Sequence, residues 1–146
     1  MTTYTAPNPN FANVTRNGVL SMPVVKWYGF DFGRIEPGAT ELVLPYRDDL
    51  SFKPGVFQGT IPGALADFAG ASSAFTLLPA GWMLSTVDYD VKLIAPAIGD
   101  HLIARGRVIK PGSTLSFAAA DVFVVKGGVE TLCCVAFVTT RNFEVR

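Results

Sequence analysis

One segment of the chain limits the possible folds more than any other. Residues 57–78, FQGTIPGALADFAGASSAFTLL, are rich in Ala and Leu and poor in β-branched residues, and Pro79 follows them. Pro62 lies where the first turn of a helix tolerates proline. These features predict one helix of about five turns. Because apolar residues, Ala and Gly occupy most of its circumference, we expect the helix to be buried against a sheet.

The remainder of the chain has the pattern of antiparallel strands separated by turns. Pro-Gly pairs at 37–38 and 111–112 and the Gly-Gly pair at 127–128 each separate two strand-like runs. The predicted strands cover residues 28–35, 41–46, 86–93, 101–109, 114–125 and 130–143. Within the third, alternation places Val87, Tyr89, Val91 and Leu93 on one face.

A short helix is predicted over residues 11–20, within an N-terminal arm that spans 1–27. The predicted architecture is α+β, with six antiparallel strands wrapped around one long central helix. We expect residues 1–146 to form a single domain, since a chain of this length matches one domain.

Charge and composition argue against several classes of function. Lys plus Arg and Asp plus Glu each number 12, so the formal net charge is zero. The chain therefore lacks the excess of positive charge that binds a nucleic acid or an anionic membrane. No stretch predicts a spanning helix, and residues 1–10 lack a secretory pattern, so a cytoplasmic protein is expected. The adjacent Cys133 and Cys134 point to opposite faces of a strand, so they predict buried apolar residues and no metal site.

Asp67 is the most informative residue of the chain. It is the only charged residue between Lys53 and Asp88, and it lies in the middle of the apolar helix. Burial of an unpaired carboxylate costs several kcal/mol, so stability alone does not explain it. Either Asp67 faces solvent or bonds to a neighbouring loop, or it acts as a nucleophile or general base in a dry pocket.

Gly59, near the predicted start of the helix, is the second candidate residue of a catalytic site. Backbone N–H groups at a helix start can stabilise an oxyanion, although a glycine there is also a common cap. Gly59 and Asp67 lie about 12 Å apart along a helix, too far to act on one carbonyl carbon. If both are functional, two helices must lie antiparallel across a two-fold axis, with Gly59 of one subunit facing Asp67 of the other.

Three segments carry a resemblance to a known family: GVFQGTIPGALADFAG, STVDYDVKLIAPAIGDHLIARGRVIKPG and FVVKGGVETLCCVAF. With them the chain resembles hotdog-fold acyl-CoA thioesterases of the PaaI-like group from about residue 28 to residue 143. The family pattern is HGG, an acid nine residues after the His, and a strand that opens with Thr/Ser-x-Asp and ends near Pro-Ala. Here Gln58-Gly59-Thr60, Asp67, residues 86–88 and residues 96–97 match it.

The resemblance implies that the protein hydrolyses an acyl-CoA to a free acid and coenzyme A. Gly59 N–H would polarise the thioester carbonyl, Asp67 would attack it or activate water, and Thr86 would help hold that water. The resemblance also implies a homodimer and favours a homotetramer, with no cofactor, since coenzyme A is part of the substrate. Further candidate substrate contacts are Thr60, Ser72 and, for the coenzyme A phosphates, Arg105, Arg107 and Lys110.

The chain departs from the family pattern at two positions. Gln58 replaces the usual His, so that side chain can position substrate but cannot act as an acid or base. Phe52 stands where the family often has Asn or Gln. The sole histidine, His101, is expected in a turn, which argues against the hydratase branch of the fold. A non-catalytic acyl-CoA or ligand-binding module and a purely structural oligomer therefore remain as alternatives.

Overall fold

The computed structural model describes residues 2–146. The helices are α1 (Phe11–Leu20), α2 (Pro23–Tyr28) and α3 (Thr60–Phe75), and one 3₁₀ turn covers Asp48–Leu50. The strands are β1 (Asp31–Glu36), β2 (Ala39–Pro45), β3 (Ser51–Lys53), β4 (Val56–Phe57), β5 (Trp82–Leu93), β6 (His101–Lys110), β7 (Leu115–Lys126) and β8 (Val129–Glu144). Six strands form one antiparallel sheet in the order β1-β2-β6-β7-β8-β5, and β3 and β4 form a separate hairpin.

This architecture confirms the predicted six-stranded antiparallel sheet around one long helix, and α1 has the predicted bounds. The central helix begins later than predicted, because Val56–Phe57 pairs with β3 and the Phe57 amide donates to the Ala97 carbonyl. The first strand also begins later, because the segment before it forms α2, whose last turn is closed by Gly29 at a φ of 82°. His101 opens β6 and is half-buried, so its predicted place in a turn was wrong.

The helix α3 lies across the concave side of the sheet. Its buried residues include Leu65, Ala66 and Ala69, which join residues of β2, β6, β7 and β8 in one apolar core. A Cβ at Gly106 of β6 would lie 2.0 Å from the Ala69 carbonyl oxygen, so only glycine allows this approach. The Thr40 hydroxyl donates a 2.8 Å hydrogen bond to the same oxygen. These contacts fix the height of α3 above β6.

The strand β5 lies at one edge of the sheet, paired on one side with β8 alone. A bulge between Thr86 and Asp88 breaks the alternation, so the prediction that Val87 shares a face with Val91 and Leu93 was wrong. Val87 is 56% exposed, whereas Val91 packs against the core. The bulge instead turns Thr86 toward α3, where its hydroxyl reaches Asp67.

No helix within residues 2–146 combines the length and apolar character needed to cross a membrane.

Candidate active site

Asp67 lies on the stripe of α3 that the sheet leaves uncovered. Ala64, Asp67, Phe68 and Ala71 are half-buried, whereas most other residues of the helix are buried. The Thr86 hydroxyl donates a 2.8 Å hydrogen bond to Asp67 Oδ1, and no cation within residues 2–146 pairs with the carboxylate. Burial raises the pKa of Asp67 above its ordinary value, and the bond from Thr86 partly offsets this rise. The carboxylate is therefore poorly solvated and can act as a base or nucleophile.

Gly59 precedes the first residue of α3, with helical backbone angles. Its amide N–H donates no hydrogen bond within the described chain, whereas the neighbouring Gln58 and Thr60 amides both do. A Cβ at Gly59 would lie 2.8 Å from Leu93 Cδ1, so the glycine lets the Leu93 side chain of β5 pack against the start of α3. The free N–H at the positive end of the helix dipole is a suitable donor to an oxyanion.

Gln58 is held in one orientation by the residue that follows Gly59. Gln58 Oε1 accepts a 2.7 Å hydrogen bond from the Thr60 amide and a second bond from the Thr60 hydroxyl. Because an amide oxygen must face these donors, Gln58 Nε2 keeps both of its hydrogens for another acceptor. Gln58 and Thr60 are both exposed at the start of α3. Together they present N–H donors beside Gly59.

A cavity of about 390 Å³ begins at Gly59 and opens to solvent. Its walls are the β3–β4 hairpin through Phe52, Val56 and Phe57, the start of α3 through Gly59 and Pro62, and the segment 93–97. No charged side chain lines it. The cavity can therefore hold an apolar or amide-containing chain next to the free Gly59 N–H.

The strand β5 runs antiparallel to α3 and links the two halves of the site. Asp67 meets Thr86 near the middle of the helix, and Gly59 meets Leu93 at its start. Gly59 and Asp67 are thus two helical turns apart within one chain, as the sequence indicated. One chain presents the acid and the free amide at separate places along the same helix and strand.

Two groups of candidate substrate contacts lie away from Asp67. Ser72 is buried, and its hydroxyl is bonded to the Thr40 hydroxyl and the Ala69 carbonyl, so the structure does not bring it to the site. Arg105 and Arg107 alternate along β6 with residues that are buried under α3, so they point to the opposite side of the sheet. Lys110 is exposed at the end of the same strand.

Both arginines have acidic partners on that outer face. The Arg105 guanidinium contacts Glu41 at 3.0 Å and Glu130 at 2.7 Å, and this pairing raises its pKa further. Arg107 contacts Asp121 at 3.1 Å. Arg105 and Arg107 thus lie across the sheet from Asp67 and Gly59 of the same chain, and their role as contacts of the coenzyme A phosphates stays a prediction.

The β3–β4 hairpin forms a wall that the sequence reasoning missed. Its strands are three and two residues long, too short to produce a periodic pattern. The available signal was the turn sequence Lys53-Pro54-Gly55, with Gly55 at a φ of 83°.

Within residues 2–146 there is no group of three or more His, Cys, Asp or Glu side chains arranged to hold a metal ion.

Solved structures of thioesterase-superfamily proteins match the chain over nearly its whole length. A thioesterase family protein from Silicibacter pomeroyi is 28% identical with a TM-score of 0.89, covering 92% of this chain and 98% of its own. A Haemophilus influenzae thioesterase is 21% identical with a TM-score of 0.80, covering 99% and 94%. A phenylacetic acid degradation-related protein from Ralstonia eutropha is 21% identical with a TM-score of 0.76, covering 90% and 98%.

No protein-family model matches the chain, and no curated protein matches it by sequence. The likeness is therefore carried by the fold and by the 28% identity to the Silicibacter pomeroyi protein. The chain is a hotdog-fold protein that resembles the thioesterase superfamily, including its PaaI-like group, as the motifs indicated.

Proposed function

We propose that the protein is an acyl-CoA thioesterase that hydrolyses a thioester to a free acid and coenzyme A. One observation carries the proposal: Asp67 is a half-buried carboxylate that has a hydroxyl partner and no cation in the described chain. A stable fold gains nothing from such a group, whereas a hydrolase needs a poorly solvated base or nucleophile. The similarity to thioesterase structures supports the same chemistry.

Hydrolysis needs a polarised carbonyl and an oxygen nucleophile, because a thiolate is a good leaving group. The Gly59 N–H would donate to the carbonyl oxygen, with Gln58 Nε2 as a second donor. Asp67 would take a proton from a water that attacks the carbonyl carbon, or would attack that carbon itself. In the first route the C–S bond then breaks and the thiolate leaves, taking the proton from Asp67. In the second route loss of the thiolate leaves an anhydride between the acyl group and Asp67, which water hydrolyses to the free acid and the regenerated carboxylate, and a proton from that water neutralises the thiolate. Oriented donors contribute about 3 kcal/mol in such reactions, and a general base adds about 100-fold or more.

A two-fold axis at β5 would complete the site. This strand has a free edge and exposed apolar residues that include Met83, Val87 and Tyr89, which are typical of an edge that pairs with another chain. Antiparallel pairing of two copies of β5, centred midway between Thr86 and Leu93, sets Leu93 of one subunit opposite Thr86 of the other. Since these residues contact Gly59 and Asp67, the acid of one subunit then faces the amide of its partner.

Hydrolysis of a panel of acyl-CoA thioesters, followed by thiol release, tests the activity. We expect turnover by the wild type and a loss of at least about 100-fold in Asp67→Asn. Asp31→Asn is the matched control, because Asp31 is an exposed carboxylate on β1, at the opposite edge of the sheet from β5. If the wild type and Asp67→Asn are equally inert and both bind an acyl-CoA, the protein is instead a non-catalytic binding module.

Mixing two inactive variants tests whether the site is shared between subunits. A heterodimer of Asp67→Asn and Gly59→Ala would contain one site with both groups intact and one with neither. Refolding equal amounts together should therefore restore about one quarter of wild-type activity. No restoration, in a sample that contains heterodimers, would place the acid and the amide of each site in one chain.

A further inference from the structure

We propose that Tyr89 of β5 is a further catalytic residue, whose hydroxyl binds the water that is consumed in the hydrolysis. This role rests on the proposed thioesterase function and on the proposed pairing of two β5 strands, and it adds a residue to the site of Asp67. Tyr89 lies on the face of β5 that carries Thr86, beside the uncovered stripe of α3, and its hydroxyl has no partner in the described chain.

The register of β5 with β8 shows to which side of the sheet Tyr89 points. Tyr89 lies directly opposite Val138, and residues directly opposite each other in an antiparallel pair have their side chains on the same face. Val138 is fully buried under α3, where a Cβ at Gly70 would lie 2.8 Å from Val138 Cγ2. Tyr89 therefore leaves the sheet on the side of α3, as Thr86 does.

Tyr89 stands beside the turn of α3 that ends at Asp67. On the same face of β5, the Thr86 hydroxyl donates to Asp67, and Val91 would lie 3.5 Å from a Cβ at Gly63. Tyr89 lies between Thr86 and Val91 along the strand, so it borders the helical turn from Gly63 to Asp67. The short side chain of Thr86 already reaches the carboxylate. The longer phenol of Tyr89 therefore extends into the space beside the uncovered stripe of the helix.

The Tyr89 hydroxyl takes no part in the fold of one chain. The side chain is 46% exposed, and its oxygen forms no hydrogen bond within residues 2–146. The hydroxyl of Tyr46, by contrast, donates to Asp48 and accepts from the Gly55 amide. At Asp67 only Oδ1 has a partner in the same part of the chain. The phenol therefore keeps a donor and an acceptor available on the side of the helix where Asp67 is exposed.

The proposed pairing of two β5 strands sets this hydroxyl between the acid and the amide of one site. With the bulge residue of each strand left unpaired, Tyr89 lies opposite Val91 of the partner subunit. Val91 borders Gly63, which lies one turn along α3 from Gly59. The phenol then has Asp67 of its own chain on one side and Gly59 of the partner subunit on the other.

A water at this place is held in the orientation that hydrolysis needs. It donates one hydrogen to Asp67 and the other to the Tyr89 oxygen, so a lone pair faces the acyl carbon. In the general-base route Asp67 takes the proton of this water. In the anhydride route the Tyr89 hydroxyl holds the water that cleaves the anhydride. Tyr89 gives up no proton in either route, so it orients the nucleophile and is not the base.

Tyr89→Phe tests the hydroxyl alone, because phenylalanine keeps the ring and its packing. With an acyl-CoA that the wild type hydrolyses, we expect kcat to fall about tenfold and KM to change by less than about twofold. The Tm and the sedimentation coefficient should remain those of the wild type. Tyr4→Phe is the matched control and should keep wild-type kcat. Tyr4 is half-buried over Gly38 at the β1–β2 turn, at the opposite edge of the sheet from β5.

The pH–rate profile separates binding of the water from a structural role of Tyr89. The pKa of Asp67 is set by burial and by the bond from Thr86, and Tyr89→Phe leaves both in place. We therefore expect the acidic limb of kcat/KM to coincide with that of the wild type while kcat is lowered. A shifted limb, a changed sedimentation coefficient or wild-type kcat would each overturn the assignment of Tyr89, and the thioesterase proposal would stand. A wild type that hydrolyses no thioester would overturn both proposals.

Discussion

The Thr86 hydroxyl donates a 2.8 Å hydrogen bond to Asp67 Oδ1, across the contact between β5 and α3. This bond depends on the bulge after Thr86, which changes the face that the strand presents to the helix. Asp67 consequently receives one hydrogen bond in a site that otherwise penalises its charge. The balance between burial and this bond sets the protonation of the carboxylate, and several measurements follow from it.

Asp67→Asn is expected to stabilise the protein at neutral pH while it abolishes hydrolysis. The folded-state pKa of Asp67 is raised above the ordinary value of 3.8, so the native state binds the proton more tightly than the unfolded state. Native stability therefore falls as pH rises from 3.8 through the folded pKa and stays lower above it. Urea unfolding at pH 7 and pH 3 measures this, and the advantage of the Asn variant should vanish at the lower pH. An Asn variant that is less stable at pH 7 would contradict the burial penalty.

Thr86→Val should move the acidic limb of the pH–rate profile to higher pH. The valine is close in shape to threonine but cannot donate to Asp67, so the one contact that lowers the pKa of the carboxyl is lost. Because the ionised carboxylate is the reactive form, activity falls as pH drops through this pKa. The kcat/KM profile of Thr86→Val, compared with Thr86→Ser, which keeps a hydroxyl, measures the shift. If the acidic limbs of the two pH–rate profiles superimpose, the Thr86 hydroxyl does not affect the pKa of Asp67.

Gly59→Ala should lower kcat by about 100-fold with little loss of stability. The backbone at Gly59 has a φ of −58°, which alanine adopts freely, and its Cβ would meet only the flexible end of Leu93 at 2.8 Å. The methyl group would, however, obstruct the approach of a carbonyl oxygen to the amide. Gly63→Ala is the control, since its Cβ would make an ordinary contact with Val91 at 3.5 Å. Equal kcat in the two variants would argue against the amide as the oxyanion donor.

The sequence predicted the sheet and the central helix because their periodic patterns are long. It also identified Asp67, since one charge in an apolar helix is visible without coordinates. It missed the β5 bulge, because apolar and polar residues still alternate along the sequence from 86 to 93. The extra residue of the bulge depends on how β5 packs against α3. It grouped Arg105 and Arg107 on one strand face, but whether that face lies on the side of Asp67 or opposite it depends on which face of β6 the helix covers, and only the structure shows this.

Gly106→Ala is expected to destabilise the fold more than any change at the site. The added Cβ would lie 2.0 Å from the Ala69 carbonyl oxygen, so α3 must move away from β6 and loosen the bond from Thr40. A cost of about 3 kcal/mol is expected, a fall in Tm of roughly 10 °C. Gly18→Ala is the control, because it is exposed within α1 with nothing inside 4 Å, and it should raise Tm. An unchanged Tm in Gly106→Ala would contradict the close approach of the helix.

Gln58→Glu should separate the two tasks that the amide group performs. Gln58 Oε1 caps the helix through the Thr60 amide, and a glutamate oxygen can accept the same bond at the positive end of the helix dipole. The Tm should therefore be retained, whereas Gln58→Ala should lose about 1 kcal/mol of stability with the cap.

Activity should respond differently from stability in these variants. Glutamate replaces the Nε2 donor with a negatively charged oxygen beside the developing oxyanion, so kcat should fall further in Gln58→Glu than in Gln58→Ala. Thermal melts and kcat for a single acyl-CoA measure both effects. A Gln58→Glu variant that keeps wild-type kcat would show that Nε2 does not contact the reacting carbonyl, and Gly59 would then be the only donor of this helix start in the reaction.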